Sequence, residues 1–273
     1  MLLPAVRRGL TPDARARLRW LALAAALALV PVLSSFASAR LLLIPALAGH
    51  AVLAAIILDA LTRAREALAR AGIAVLLLAA HFGLATAWGM IELRDIAEVN
   101  RRTTAAALAM QVDDARVAGQ RLVVLTANDP STLLYPPLVR HFAGAPLPRA
   151  WWVLSLAPHP HRLHRIAVDA FELEVEGGAM LRGGAEQLLR RSDRLPALGS
   201  TTALGGLTIT IGAVDAEGFP TRVRYTFDCS LEDGSLVFLL VARRGIIRYP
   251  VGPVGSTVTI PPGALPLELG TAP

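Results

Sequence analysis

Apolar residues crowd the first third of the chain and thin out after Ile91. They form three blocks, residues 18–37, 41–60 and 71–91. Each is close to the roughly 20 residues that an α-helix needs to cross a bilayer's hydrocarbon core. Pro31 lies inside the first block, and Trp20 and Trp88 stand near block ends, where amphipathic rings favour the headgroup level. The pattern predicts three transmembrane helices. Residues 92–118 follow as a polar, Ala-rich helix with Ile96, Val99, Leu108 and Val112 on a patchy apolar face, ended by Gly119. That segment reads as a stalk.

Beyond residue 120 the period changes. L-V-V-L at 122–125 is a short buried strand. Asp129-Pro130 supplies a helix N-cap and first position, and a helix runs on to His141 before Gly144. A second strand over 150–156 completes a βαβ unit, whose crossover is expected to be right-handed. The remainder alternates with period two: strands at 165–168 and 170–175, either separate or one continuous strand, a short helix at 185–191, then strands at 207–214, 222–227, 236–241, 246–249 and 258–260. The expected fold class is an α+β membrane protein. It has a transmembrane region over 1–95, a helical stalk over 96–119, and a mixed α/β domain over 120–273 ending in a largely antiparallel sheet or small barrel.

Charge refines this picture. Ten Arg face five acids up to Asp95, and seventeen Arg face sixteen acids afterwards. The basic surplus therefore lies in the apolar third, and the near-neutral domain is a poor nucleic-acid reader. Arg7, Arg8, Arg15, Arg17 and Arg19 precede or edge the first block, Arg40 alone occupies the first loop, and Arg63, Arg65 and Arg70 the second. The positive-inside rule then places the N-terminus in the cytoplasm of a bacterial inner membrane and the C-terminal domain in the periplasm or outside the cell, although Arg94, Arg101 and Arg102 follow the third block. A second reading of the first block is a cleaved signal sequence, with Ala37-Ser38-Ala39 as the small-residue site. The chain contains no Lys, which excludes Schiff-base chemistry and a Walker A phosphate loop, and a single Cys229, which excludes an intramolecular disulfide and a Cys-rich zinc site.

The candidate chemistry is sparse. His50 and His81 fall near the middle of the second and third blocks, where an ionisable residue is expensive to bury. They could meet and relay protons, or each could hydrogen-bond a neighbouring helix, which is the favoured reading. Asp59 is assigned a local pair with Arg63, and Ala79, Gly83 and Ala87 form a small-residue stripe for helix–helix contact. His159, His161 and His164 form H-x-H-x2-H, with Asp169 as a possible fourth ligand. Clustered imidazoles suit zinc or copper. Arg162 and Arg165 oppose a cation there, and the competing reading is a solvated loop. Residues 228–234 depart from a calcium loop, since Leu239 stands where the bidentate Glu belongs. No G-x-S-x-G and no G-x-G-x-x-G is present.

Pro31 with Arg40-Leu-Leu-Leu43, His81, Asn128-Asp129-Pro130, Leu154-Ser155, Gly206-Leu207-Thr208 and Phe227-Asp228 resemble the C-terminal part of large, uncharacterised multi-pass bacterial membrane proteins. That resemblance carries over no site residue. It implies a shortened form lacking earlier spans.

The functional expectation is a membrane-anchored extracytoplasmic domain that binds a partner or supports an assembly, without catalysis or a cofactor of its own. Its expected partners are the lipid bilayer, neighbouring helices and a protein of unknown identity. The alternative is the end of a polytopic enzyme or transporter, for example in lipid-linked glycosyl transfer, with its active site in missing spans.

Overall fold

The structure is a computed structural model that describes residues 12–33, 43–62, 72, 75–190, 192–243 and 245–263. The chain divides into two compact units, Met1–Asp95 and Ile96–Pro273. The first contains α1 (Pro12–Leu33), α2 (Leu43–Thr62) and the start of α3 (Val75–Leu108). Helices α1 and α2 pack on each other. Large apolar side chains on all three helices, including Leu27, Leu47, Phe82 and Trp88, are exposed.

The expectation of three transmembrane helices is corrected here. Among the described residues one helix, Val75–Leu108, is long and apolar enough, by length and composition, to cross a membrane. Helix α1 opens with Asp13, Arg15, Arg17 and Arg19, which leaves only residues 20–33 uncharged. Helix α2 carries His50 at its centre and Asp59 near its end. Both uncharged stretches fall short of a full span, and such lengths also suit helices that pack within a protein. The 37–39 tripeptide, the Asp59–Arg63 pair and Arg7, Arg8, Arg40, Arg63, Arg65 and Arg70 lie outside the described residues.

Helix α3 contains a π-helical segment, Ala79–Leu84, and the Ala85 N–H donates to Ala80 O. The wider π turn shifts the helical register, so Ala79, Gly83 and Ala87 no longer form an α-helical stripe. The helix stops at Leu108, ten residues before its expected end at Ala118. Met110 and Val117 turn into the core instead, and the Gln111 N–H donates to Ile246 O at 3.1 Å.

The second unit is built on two sheets. In the first, β1 (Arg121–Val124) pairs in parallel with β2 (Ala150–Val153) through the expected crossover. That crossover is the 3-10 turn Pro130–Leu133 and helix α4 (Tyr135–Phe142), and the Asp129 carboxylate caps its start by accepting from the Ser131 N–H at 2.5 Å. The second sheet is antiparallel, in the order β10-β3-β4-β7-β6-β5. Its strands are β3 (His161–Arg165), β4 (Ala170–Val175), β5 (Thr201–Leu204), β6 (Leu207–Val214), β7 (Pro220–Phe227) and β10 (Thr257–Ile260). The first sheet is completed by β8 (Leu236–Ala242), parallel to β1 on its other side, and β9 (Gly245–Arg248), antiparallel to β8.

Three details differ from the sequence reading. The antiparallel sheet is open, with β10 and β5 as edges, rather than a barrel. The His-rich run expected as a loop is strand β3, because His161, Leu163 and Arg165 alternate inward. Strands β3 and β4 form a hairpin rather than one strand.

Period-two alternation decides how the sheets meet. Val123 and Leu125 of the first sheet, with Leu236, Phe238 and Leu240, share a core with Leu163, Phe171, Leu173, Val223, Tyr225 and Phe227 of the second. Leu122, Val124, Val237, Leu239 and Val241 point the other way and are covered by Met110, Val117 and Ala127. A strand covered on both faces reads as continuously apolar, which explains L-V-F-L-L-V in β8. The ring of Phe171 lies 5.7–5.9 Å from Tyr225, Phe227 and Phe238. Each such aromatic pair adds about 1 kcal/mol beyond its burial.

Arg121 ties the sheets at one end. It donates to the Asp228 carboxylate at 2.5 Å, to Cys229 Sγ at 2.8 Å and to Ser235 Oγ at 3.3 Å. Gly206, at φ +100°, passes so close that a Cβ there would sit 2.5 Å from both Arg121 Nη1 and Asp228 Oδ2. Gly206→Ala should therefore cost on the order of 3 kcal/mol, from backbone strain and the displaced ion pair. Gly234→Ala, with open space around it, should stay within roughly 0.5 kcal/mol. Urea unfolding of the two variants checks this, and equal midpoints would refute it.

Candidate functional site

The antiparallel sheet is two strands wider than its partner. At about 4.8 Å per strand this leaves an overhang on the order of 10 Å. The overhang is not filled. A cavity of about 330 Å³ lies there, lined by the end of β2 and the residues after it (Val153, Leu154, Ser155, Leu156) and by β5, β6 and β7. The segment 180–190, including helix α5 (Gly184–Leu189), lines it too. Most of the lining is apolar, with Met180, Leu181, Ile209, Ile211 and Val223 prominent. The size sits at the lower end of the range for small-molecule pockets.

Glu186, Tyr225, Ser155 and Ser200 in its wall are held by the protein itself. Glu186 is buried, and its two carboxylate oxygens accept from the Leu181 N–H at 3.1 Å and the Gly183 N–H at 3.0 Å. That pairing closes the start of α5 and fixes Leu181 in a left-handed conformation, φ +64°, which a residue with a Cβ adopts only at a cost of roughly 1–2 kcal/mol. The Tyr225 hydroxyl donates to Leu154 O at 2.9 Å, and burial pushes its phenol above the ordinary range. Ser155 Oγ lies 2.8 Å from His161 Nε2 and accepts from the Ala157 N–H at 3.2 Å.

A serine against a histidine has the outline of a nucleophile and its base. This pair is poorly suited to that work. His161 is fully buried, and desolvation lowers its pKa to about 4, so it is a weak base at neutral pH. Its Nδ1 has no hydrogen-bond partner, so no carboxylate orients the ring. The pair acts as a tie between β3 and the end of β2. Nothing in the spacing of Leu154-Ser155 or of the His run announced it, because the two meet only when the sheets pack.

The other sequence-derived candidates are dispersed. His161 faces the core, whereas His164 lies on the opposite face with Nδ1 2.8 Å from Thr257 Oγ1. His159 stacks over Gly178, where a Cβ would stand 2.3 Å from its ring. The Asp169 carbonyl accepts from the Phe227 N–H. The three histidines are thus not gathered about one point, and among the described residues no group of three His, Cys, Asp or Glu could hold a metal ion. His50 and His81 do come together, with ring centroids 6.2 Å apart and planes at 87°. His50 Nδ1 lies 2.6 Å from Ala46 O, one turn back along its own helix.

The buried His161 has a consequence for stability. Its folded pKa lies below the ordinary 6.5, so the unfolded chain binds the proton first as pH falls. The contribution is complete above pH 6.5 and is lost progressively down to pH 4, a total of about 3 kcal/mol. Unfolding followed by tryptophan emission should show this slope between pH 6.5 and 4.5, and His161→Asn should flatten it. A wild-type stability constant across that window would contradict the assignment.

No family model, no curated protein and no solved structure matches this chain.

Proposed function

We propose that this chain is a membrane-anchored binding protein whose C-terminal domain lies outside the cytoplasm and has no catalysis of its own. The observation that carries the reading is the cavity: an apolar hollow in whose wall Glu186, Tyr225 and Ser155 are already engaged by the protein. Such a wall retains a ligand and offers no activated nucleophile or base. Anchoring is supported by the one helix of membrane length among the described residues, Val75–Leu108, and by the exposed Phe82 and Trp88 on it. The orientation is supported by nine arginines before residue 75 against Arg94, Arg101 and Arg102 after the apolar part of that helix. A bacterial inner membrane is the setting this implies.

Alkaline phosphatase fused after Pro273 should be active, and the same reporter inserted near Glu66 should be inactive. The opposite pattern would put the domain in the cytoplasm. Activity at both sites would reject a single crossing between them.

A further inference from the structure

We propose that the cavity holds the hydrocarbon chain of a single-chain anionic lipid, a long-chain fatty acid, with its carboxylate at Arg190. The inference rests on the binding reading above and names its ligand.

Three observations select this class. The first is size. A volume of about 330 Å³ suits one extended or bent chain and is small for a two-chain lipid or a large planar cofactor. The second is saturation. Both Glu186 oxygens and the Tyr225, Ser155 and Ser200 hydroxyls already have protein partners. Among the described lining side chains this leaves the Thr202 hydroxyl and the Arg190 guanidinium, too few partners for a sugar, nucleotide or peptide, whose remaining hydroxyls and amides would go unpaired at a cost of roughly 1–3 kcal/mol each. A hydrocarbon chain has nothing to leave unpaired. It would also cover Leu181, Ile209 and Val223, so burial favours it.

The third observation is a cation in the lining, Arg190, alone of its kind among the described residues there. Arg190 is exposed, and its Nε donates to Arg194 O at 2.7 Å, which steadies the guanidinium without neutralising it. No described carboxylate pairs with it. Its terminal N–H groups match the fork that a carboxylate fills with two parallel hydrogen bonds. Glu186, the one acid among the described residues of the lining, is turned to the backbone N–H groups of Leu181 and Gly183 and caps α5, so it leaves the cation to the ligand.

The test uses the full chain in phosphatidylcholine nanodiscs with a palmitic acid analogue that carries a diazirine in its chain. After irradiation, cross-linked peptides should include residues 154–156, 180–186, 209–211 or 223–225, and excess unlabelled palmitate should suppress them. Ile209→Trp fills the cavity and should lower that labelling roughly tenfold. Arg190→Gln, at an exposed site with no structural ion pair, should lower labelling by the acid roughly tenfold and leave labelling by the matching fatty alcohol unchanged. Labelling confined to residues 12–108 would overturn the proposal, as would full labelling of a folded Ile209→Trp variant. Equal losses with acid and alcohol in Arg190→Gln would overturn the carboxylate assignment. Suppression of the cavity labels by added lysophosphatidylcholine but not by palmitate would replace the free acid with a bilayer-derived lipid. The fusion experiment reads topology independently, so a domain found outside that takes up no acyl probe would sink this inference and leave the anchoring intact.

Discussion

Everything in the C-terminal unit depends on two sheets being pressed face to face through one alternating set of side chains. Val123, Leu125, Phe238 and Leu240 on one side meet Leu163, Phe171, Tyr225 and Phe227 on the other. A shift of one residue in β1 or β8 would exchange these for Leu122, Val124, Val237 and Leu239, which belong to a separate core on the far face. The aromatic group around Phe171 resists that shift because its rings fit one arrangement. The same contact brings the ends of the sheets into register, so that Arg121 reaches Asp228 and Ser155 reaches His161.

The cavity follows from an imbalance in this arrangement. Four strands cannot cover six, and the overhanging face of β5 and β6 needs another lid. The 180–190 segment supplies part of it, held by Glu186 and by the Met180 N–H bond to Pro220 O. A better-packed lid would fill the space with side chains and gain stability from it. The strained Leu181 backbone and the unfilled volume sit together, a combination seen where a protein keeps room for a ligand.

Buried arginines are the other recurring device. Arg140 and Arg165 are almost wholly buried, yet each reaches a partly exposed carboxylate, Asp114 and Glu232 respectively, and backbone carbonyl groups. The guanidinium has enough donors to satisfy several carbonyls at once, which a Lys could not do with the same planar geometry. The Arg165 guanidinium, and after it the Ser230 hydroxyl, hold the Glu232 carboxyl down at about 2. In a chain without Lys, this is how loop 166–169 and the turn after β7 are fastened to the sheet.

Local pattern determined much of the domain on its own. The alternation in 207–214 matches β6, the apolar run at 122–125 marks β1, and Asp129-Pro130 caps the crossover, because each signal is written within a few consecutive residues. Composition overreached in the apolar third. A hydropathy window averages over Asp13, Arg15, Arg17, Arg19, His50 and Asp59 in alanine-rich helices, and among the described residues one membrane-length helix stands where three were expected. Only the tertiary structure decided that His161 faces Ser155 while His164 faces solvent, that β8 lies parallel to β1 more than a hundred residues away, and that Glu186, Arg190 and Tyr225 line one cavity. Those facts depend on which strand lies beside which, and strand order is set by the packing of distant segments rather than by neighbours along the chain.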